Sequence, residues 1–228
     1  MTSAPPTRTA GTDVGPNGLF LVILAGLGMV GPFSIDTMFP AFARMGAEFG
    51  ASELALQQIV SVYMLAFATM SLVHGPLSDA LGRKPVILAG QAVFVAASIG
   101  CALAPSLPAL LAFRAVQGLS AGAGAIISRA MVRDVYSDAR AQRTMSHIAM
   151  IFGLAPALAP VVGGLLLGFG GWRATFWFLV GFGLVWAALV LFFMPETHPA
   201  ERRTEFNVRL LASGLAQVWR RPSARRLA

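Results

Sequence analysis

The sequence predicts an all-α membrane protein built as a six-helix bundle, and three features carry that expectation. Hydrophobic residues make up 56% of the 228 positions before 24 glycines are counted, and charged residues only 12%, where soluble domains are about a quarter charged. Six stretches are apolar over the roughly 20 residues that a bilayer crossing requires. The basic residues fall on alternate connections, as the positive-inside rule demands. Scarce charge with a mean hydropathy of +0.70 excludes disorder, and a soluble domain of this length could not hide so much apolar surface.

The expected spans are 18–40, 54–74, 86–104, 107–128, 145–169 and 174–194. The first exceeds the apolar core of a secretory signal and five more follow it, so it reads as a retained helix. The connections are 41–53, 75–85, 105–106, 129–144 and 170–173. This divides the chain into a tail over 1–17, a transmembrane bundle over 18–194 and a basic segment over 195–228.

Fourteen of the 17 Lys and Arg lie in segments 1–17, 75–85, 129–144 and 195–228, against Arg44 and Arg173 on the other side and Arg114 inside a span. Both termini are therefore expected in the cytoplasm. The net charge of +7 is then a topology signal, which excludes a nucleic-acid partner. Cys101 is the single cysteine, so an internal disulfide and a multi-cysteine metal cluster are excluded, and the thiol reads as a small buried hydrophobe.

Two motifs mimic enzymes. Gly26-Leu27-Gly28-Met29-Val30-Gly31 fits a dinucleotide fingerprint, yet the apolar run continues through the glycines with no strand before them, so close helix packing explains it better. Gly118-Leu119-Ser120-Ala121-Gly122 fits a serine-hydrolase elbow, but such an elbow is a strained strand-to-helix turn and these residues sit inside a helix, remote from His147. Gly118 and Gly122 instead form one small face. No catalytic residue, metal or cofactor is expected.

Asp36 and Arg114 are the two charges most clearly inside spans, where each costs roughly 2.5–3.5 kcal/mol at mid-membrane. At 1.5 Å per residue they fall about 6 Å and 10 Å from the same outer boundary. Two readings stay open: a structural ion pair, or a titrating carboxylate beside a fixed cation in a polar cavity.

The connection Gly75-Pro76-Leu77-Ser78-Asp79-Ala80-Leu81-Gly82-Arg83-Lys84 resembles the G-x-L-x-D-x-x-G-R-K pattern of the major facilitator superfamily. Arg114-Ala115-Val116-Gln117-Gly118 is similar to its R-x-x-Q-G pattern. Pro160, Gly163 and Gly164 resemble its antiporter pattern G-P-x-x-G-G. Ser34-Ile35-Asp36-Thr37-Met38-Phe39-Pro40, with Gly75-Pro76-Leu77-Ser78-Asp79, is similar to the Bcr/CflA drug-resistance branch of proton antiporters. Ala80 replaces the usual basic residue of the loop pattern, and Ala159 the first glycine of the antiporter pattern.

The resemblance implies the N-terminal half of a twelve-helix fold, made of two three-helix repeats and lacking a C-terminal six-helix half. It implies proton-coupled efflux of amphipathic drug-like molecules across a bacterial inner membrane by alternating access. Asp36 and Arg114 would couple protons, and both with Gln117 would line the substrate cavity. Gly75, Asp79, Gly82, Arg83, Lys84 and Asp134 would form a conformational loop holding the outward-open state. Metabolite uptake on the same fold and a nontransporting membrane scaffold are the alternatives.

Overall fold

The computed structural model describes residues 18–204; the tail 1–17 and the greater part of the basic segment, 205–228, lie outside the described residues. The helices are α1 (Gly18–Asp36), α2 (Phe42–Phe49), α3 (Glu53–Leu81), α4 (Arg83–Ala102), α5 (Leu107–Val135) and α6 (Asp138–Phe193), with single 3-10 turns at Phe39–Ala41 and Ala200–Arg202. Ser52 Oγ accepts from Ala55 N–H at 3.3 Å to start α3, and Ser106 caps α5 in the same way, satisfying donors that have no partner within the first turn. Gly50 closes α2 at φ +60°, and Gly82, at φ +101°, is the single residue between α3 and α4.

Two sequence expectations are corrected. The helices outrun the apolar stretches: α3 continues through Gly75, Pro76 and Asp79 to Leu81, and α5 takes in Arg129, Arg133 and Asp134. Hydropathy marks where lipid ends, whereas a helix satisfies its own backbone and can continue into water. Also, six separate helices were expected, and among the described residues five helices are long and apolar enough to cross a membrane. The fifth, α6, has 56 residues, but its backbone leaves helical geometry at Gly170 (φ −147°, ψ 20°) and Gly171 (φ 67°, ψ −167°). The expected turn at 170–173 is thus present as the break that divides α6 into two helical limbs.

Contacts with α1 show the chain reversing at that break. On the first limb Phe152 lies beside Gly28 and Gly163 against Thr37; on the second, Phe178 and Phe182 meet Phe33 and Trp186 covers Gly26. The first limb therefore runs with α1 and the second against it.

α1 is the most enclosed helix, packed against α5 and α6, while α3 and α4 pack on α5. One apolar cluster, including Phe20, Leu24, Val86, Ile127 and Met131, fills the end that carries Arg83 and Asp134, here the basic end. A second, including Met38, Met45, Ile59, Leu110 and Phe176, fills the opposite end. Leu65, Leu165, Phe169 and Phe192 are exposed on the outside, an apolar surface suited to lipid.

At the opposite end α2 carries on in the direction of α1, its Arg44 donating to Leu167 O and its Glu48 reaching the break in α6, and it buries Met45. Glu48 accepts from the Trp172 indole N–H and from Arg173, each at 2.6 Å, and the Arg173 guanidinium lies 4.2 Å from the Trp172 ring centre. These donors hold the Glu48 carboxyl below the usual carboxylate range, Trp172 contributing most.

Candidate functional site

A cavity of about 590 Å³ opens between α1, α3, α5 and the first limb of α6, within the size range of small-molecule sites. Its walls are mainly apolar, with Ile35, Met64, Phe67, Leu72, Ile126 and Phe152; Asp36, Tyr63, Ser71 and Arg129 are its polar side chains with a hydroxyl or charge. Ser71 is spent locally, donating to Phe67 O at 2.6 Å. Asp36 is half-buried at the last residue of α1.

Arg114 does not meet Asp36. It is fully buried; its Nε donates to Ile59 O at 3.2 Å, its Nη1 to Ser34 O at 3.1 Å and to Gln117 Oε1, and its guanidinium carbon lies 4.1 Å from the centre of the Tyr63 ring. Gln117 passes the chain on, donating to Ser98 Oγ at 2.6 Å, and Ser98 donates to Phe94 O. One buried network thereby ties α5 to α1, α3 and α4. The arginine reaches α1 at the backbone of Ser34, and a side chain two residues further, Asp36, points about 200° around the helix. Both open readings set the carboxylate beside the cation; instead, carbonyl dipoles, Gln117 and an aromatic face surround Arg114. Nor do Arg114 and Gln117 line this cavity: both are fully buried behind its wall.

Gly163 abuts the end of α1: a Cβ there would stand 2.1 Å from Thr37 O, while Gly164 faces open space and Ala159 is buried. Gly118 makes the same kind of approach to Tyr63 O, at 2.3 Å for a Cβ. Small residues here set backbone-to-backbone distances.

At the basic end Arg83 is nearly buried and bridges Asp79 on α3 and Asp134 on α5, the latter at 3.0 Å, while donating to Ser78 Oγ at 2.6 Å. The segment after α6 closes over this cluster. Glu196 accepts from Arg83 N–H and Lys84 N–H, each at 3.0 Å, and so caps α4 with a carboxylate, where the helix end favours negative charge. Thr197 donates to Asp134 at 3.1 Å, and Lys84 Nζ to Leu191 O at 2.9 Å. Gly82 is demanded by its positive φ and by crowding, since a Cβ would come within 2.8 Å of Glu196 Oε2. Nothing packs against Gly75, and no structural reason for that glycine is found.

The family profile described as "Major Facilitator Superfamily" matches residues 20–227. The chain belongs to the major facilitator superfamily. Among curated members, it is 33% identical over 202 residues to the bicyclomycin resistance protein homolog of Haemophilus influenzae, covering 89% of this chain and 51% of that one. It is 36% identical over 185 residues to multidrug resistance protein D of Escherichia coli K12, covering 79% and 46%. The chain spans about half the length of these superfamily members. Among solved structures, a mutant of the peptide transporter POT in complex with sulfate superposes with a TM-score of 0.71 at 19% identity, over 91% of this chain and 45% of that one. The human organic anion transporter MFSD10 gives 0.68 at 21%, over 87% and 53%. The fold is thus that of roughly half a superfamily transporter, and the protein is not an enzyme.

Three residues of these sites escaped sequence reasoning. Arg129 was placed in a connection, and Glu196 in a long basic segment. Tyr63 lies in a run apolar on all sides, where periodicity gives no facing direction. A usable signal existed for Glu196 alone, an isolated acid directly after the last apolar run.

Proposed function

We infer that this chain is the N-terminal half of a proton-coupled exporter of amphipathic drug-like molecules in a bacterial inner membrane. The observation that carries the reading is Asp36, a carboxylate on an otherwise mainly apolar cavity wall and without Arg114 as counter-ion. Such a group gains a proton or a substrate contact, and competition between the two couples their movements. The names of the curated relatives support the substrate class. One charge crossing 100 mV yields about 2.3 kcal/mol, enough for roughly a fifty-fold gradient.

In this account the chain crosses the membrane six times, α6 supplying two crossings, with both termini in the cytoplasm and the basic end facing it. A C-terminal six-helix half closes the cavity and rocks against this one. Gly163 keeps the first limb of α6 tight on α1, with Pro160 and Gly164 completing the antiporter pattern on that limb. The Asp79–Arg83–Asp134 cluster holds the outward-open state. Arg114 and Gln117 position the cavity wall rather than contacting substrate.

The test is co-expression with a matched second half in cells lacking their own exporters. Energy-dependent drug extrusion that needs both halves supports the reading. Substrate accumulation instead of extrusion would make the protein an uptake carrier, and no movement with both halves correctly inserted would leave a scaffold.

A further inference from the structure

We propose that Tyr63 is a specificity-determining residue of the cavity, its hydroxyl serving the hydrogen-bonding group of a bound amphipathic molecule. The inference rests on the cavity being the substrate site and names the chemistry that site selects. Tyr63 is 1% exposed, yet it is part of the cavity lining, and its hydroxyl lies on the Gly31 side: a Cβ on Gly31, another lining residue, would be 4.0 Å from Oη. That hydroxyl has no hydrogen-bond partner in the protein. Ser34 of α1, whose hydroxyl is spent as a donor on Val30 O at 2.7 Å, lies near the Tyr63 hydroxyl without meeting it in hydrogen-bonding geometry.

A buried hydroxyl inside a membrane span is costly unless something pairs with it. The content of the cavity is the remaining source, water when the site is empty and substrate when it is filled. Tyrosine hydroxyl can donate or accept, so it serves amines, amides and hydroxyls alike. The ring is held from behind: Arg114 sits over one face and Phe67 stacks at 6.3 Å between centres. A cation on the ring draws electron density from it and sharpens the hydroxyl as a donor. Arg114, although it reaches no cavity surface, thus acts on bound molecules through Tyr63.

Two lipophilic cations separate this role from the general one of Asp36. Ethidium carries two aromatic amines; tetraphenylphosphonium has no hydrogen-bonding group. Both are titrated onto the chain in lipid nanodiscs, and the readout is the ratio of their dissociation constants within each variant, which cancels partial loss of folded protein. Tyr63→Phe should weaken ethidium roughly three- to tenfold, the worth of one hydrogen bond, and leave tetraphenylphosphonium unchanged. Tyr63→His, which restores a polar edge on a ring, should return the ratio toward wild type. Asp36→Asn should weaken both probes alike. An unchanged ratio in Tyr63→Phe, with Asp36→Asn weakening both, overturns the role of Tyr63 and leaves the cavity as the site. Failure of folded wild type to bind either probe, or indifference of both to Asp36→Asn, overturns the site itself and this inference with it.

Discussion

Gly163 of α6 lies against the carbonyl of Thr37, with room for no side chain: a Cβ would stand 2.1 Å from that oxygen. Thr37 directly follows Asp36, and its own hydroxyl donates back to Phe33 O at 2.6 Å. The contact therefore fixes the end of α1 from which the cavity carboxylate projects. Gly163→Ala must displace backbone rather than a side-chain tip, at about 1–3 kcal/mol, more than the up to ~1 kcal/mol that alanine gains over glycine in a helix. Gly164→Ala meets open space and should be neutral or slightly stabilising. Thermal unfolding of the two variants in detergent tests this; equal midpoints would contradict it.

Arg114 and Asp36 should separate cleanly in stability. Arg114 satisfies two backbone carbonyls and Gln117 in full burial, so Arg114→Lys, which lacks the planar fork, should lose several kcal/mol. Asp36→Asn removes a half-buried charge that Arg114 does not pair and should change the unfolding midpoint little. Similar large losses in both variants would mean that the two charges depend on each other after all.

Glu196→Ala should loosen the basic end. It strips the carboxylate from two α4 N–H groups, a capping loss of about 0.5–2 kcal/mol. Hydrogen exchange at Arg83 and Lys84 should quicken before the bundle core responds. Unaltered exchange there would show that the cap is ornamental.

Glu48 gives the opposite end a pH dependence. Its folded-state carboxyl titrates below its ordinary value near 4.5 because Trp172 and Arg173 donate to it. The stabilisation is accordingly complete above that ordinary value and disappears as pH falls through the lowered one. Both charged partners are over a third exposed, which limits the effect to about 0.2–1 kcal/mol. Wild type should exceed Glu48→Gln by this margin at neutral pH, and the two melting curves should converge in acid. A gap that persisted or widened in acid would refute the assignment.

Legibility in the sequence followed from where physics leaves a local trace. Spans were readable because lipid selects long apolar runs, and the turn at Gly170–Gly171 because glycines interrupt one. Helix ends were not, since Arg129 and Asp134 look like loop residues while the α5 backbone continues beneath them. The motif around Asp79 and Arg83 pointed to the cluster at the basic end, but its closure by Glu196 depends on the chain folding back from over 100 residues away. Arg114 was recognised as costly and interior, yet its partners are mostly backbone carbonyls, which every residue carries and no side-chain pattern reveals. Counting depth put Asp36 beside it correctly in height and missed the rotation between Ser34 and Asp36.

The central claim is that Asp36 couples protons to substrate, and its most direct test is pH-driven exchange in everted vesicles holding this chain with a matched second half. With wild type, an imposed proton gradient should drive ethidium against its concentration gradient. Asp36→Asn, folded and inserted to the same level, should still equilibrate ethidium across the membrane but gain nothing from the proton gradient. Wild-type accumulation by the Asp36→Asn protein under the same gradient would contradict the account and reduce Asp36 to a residue of the cavity wall.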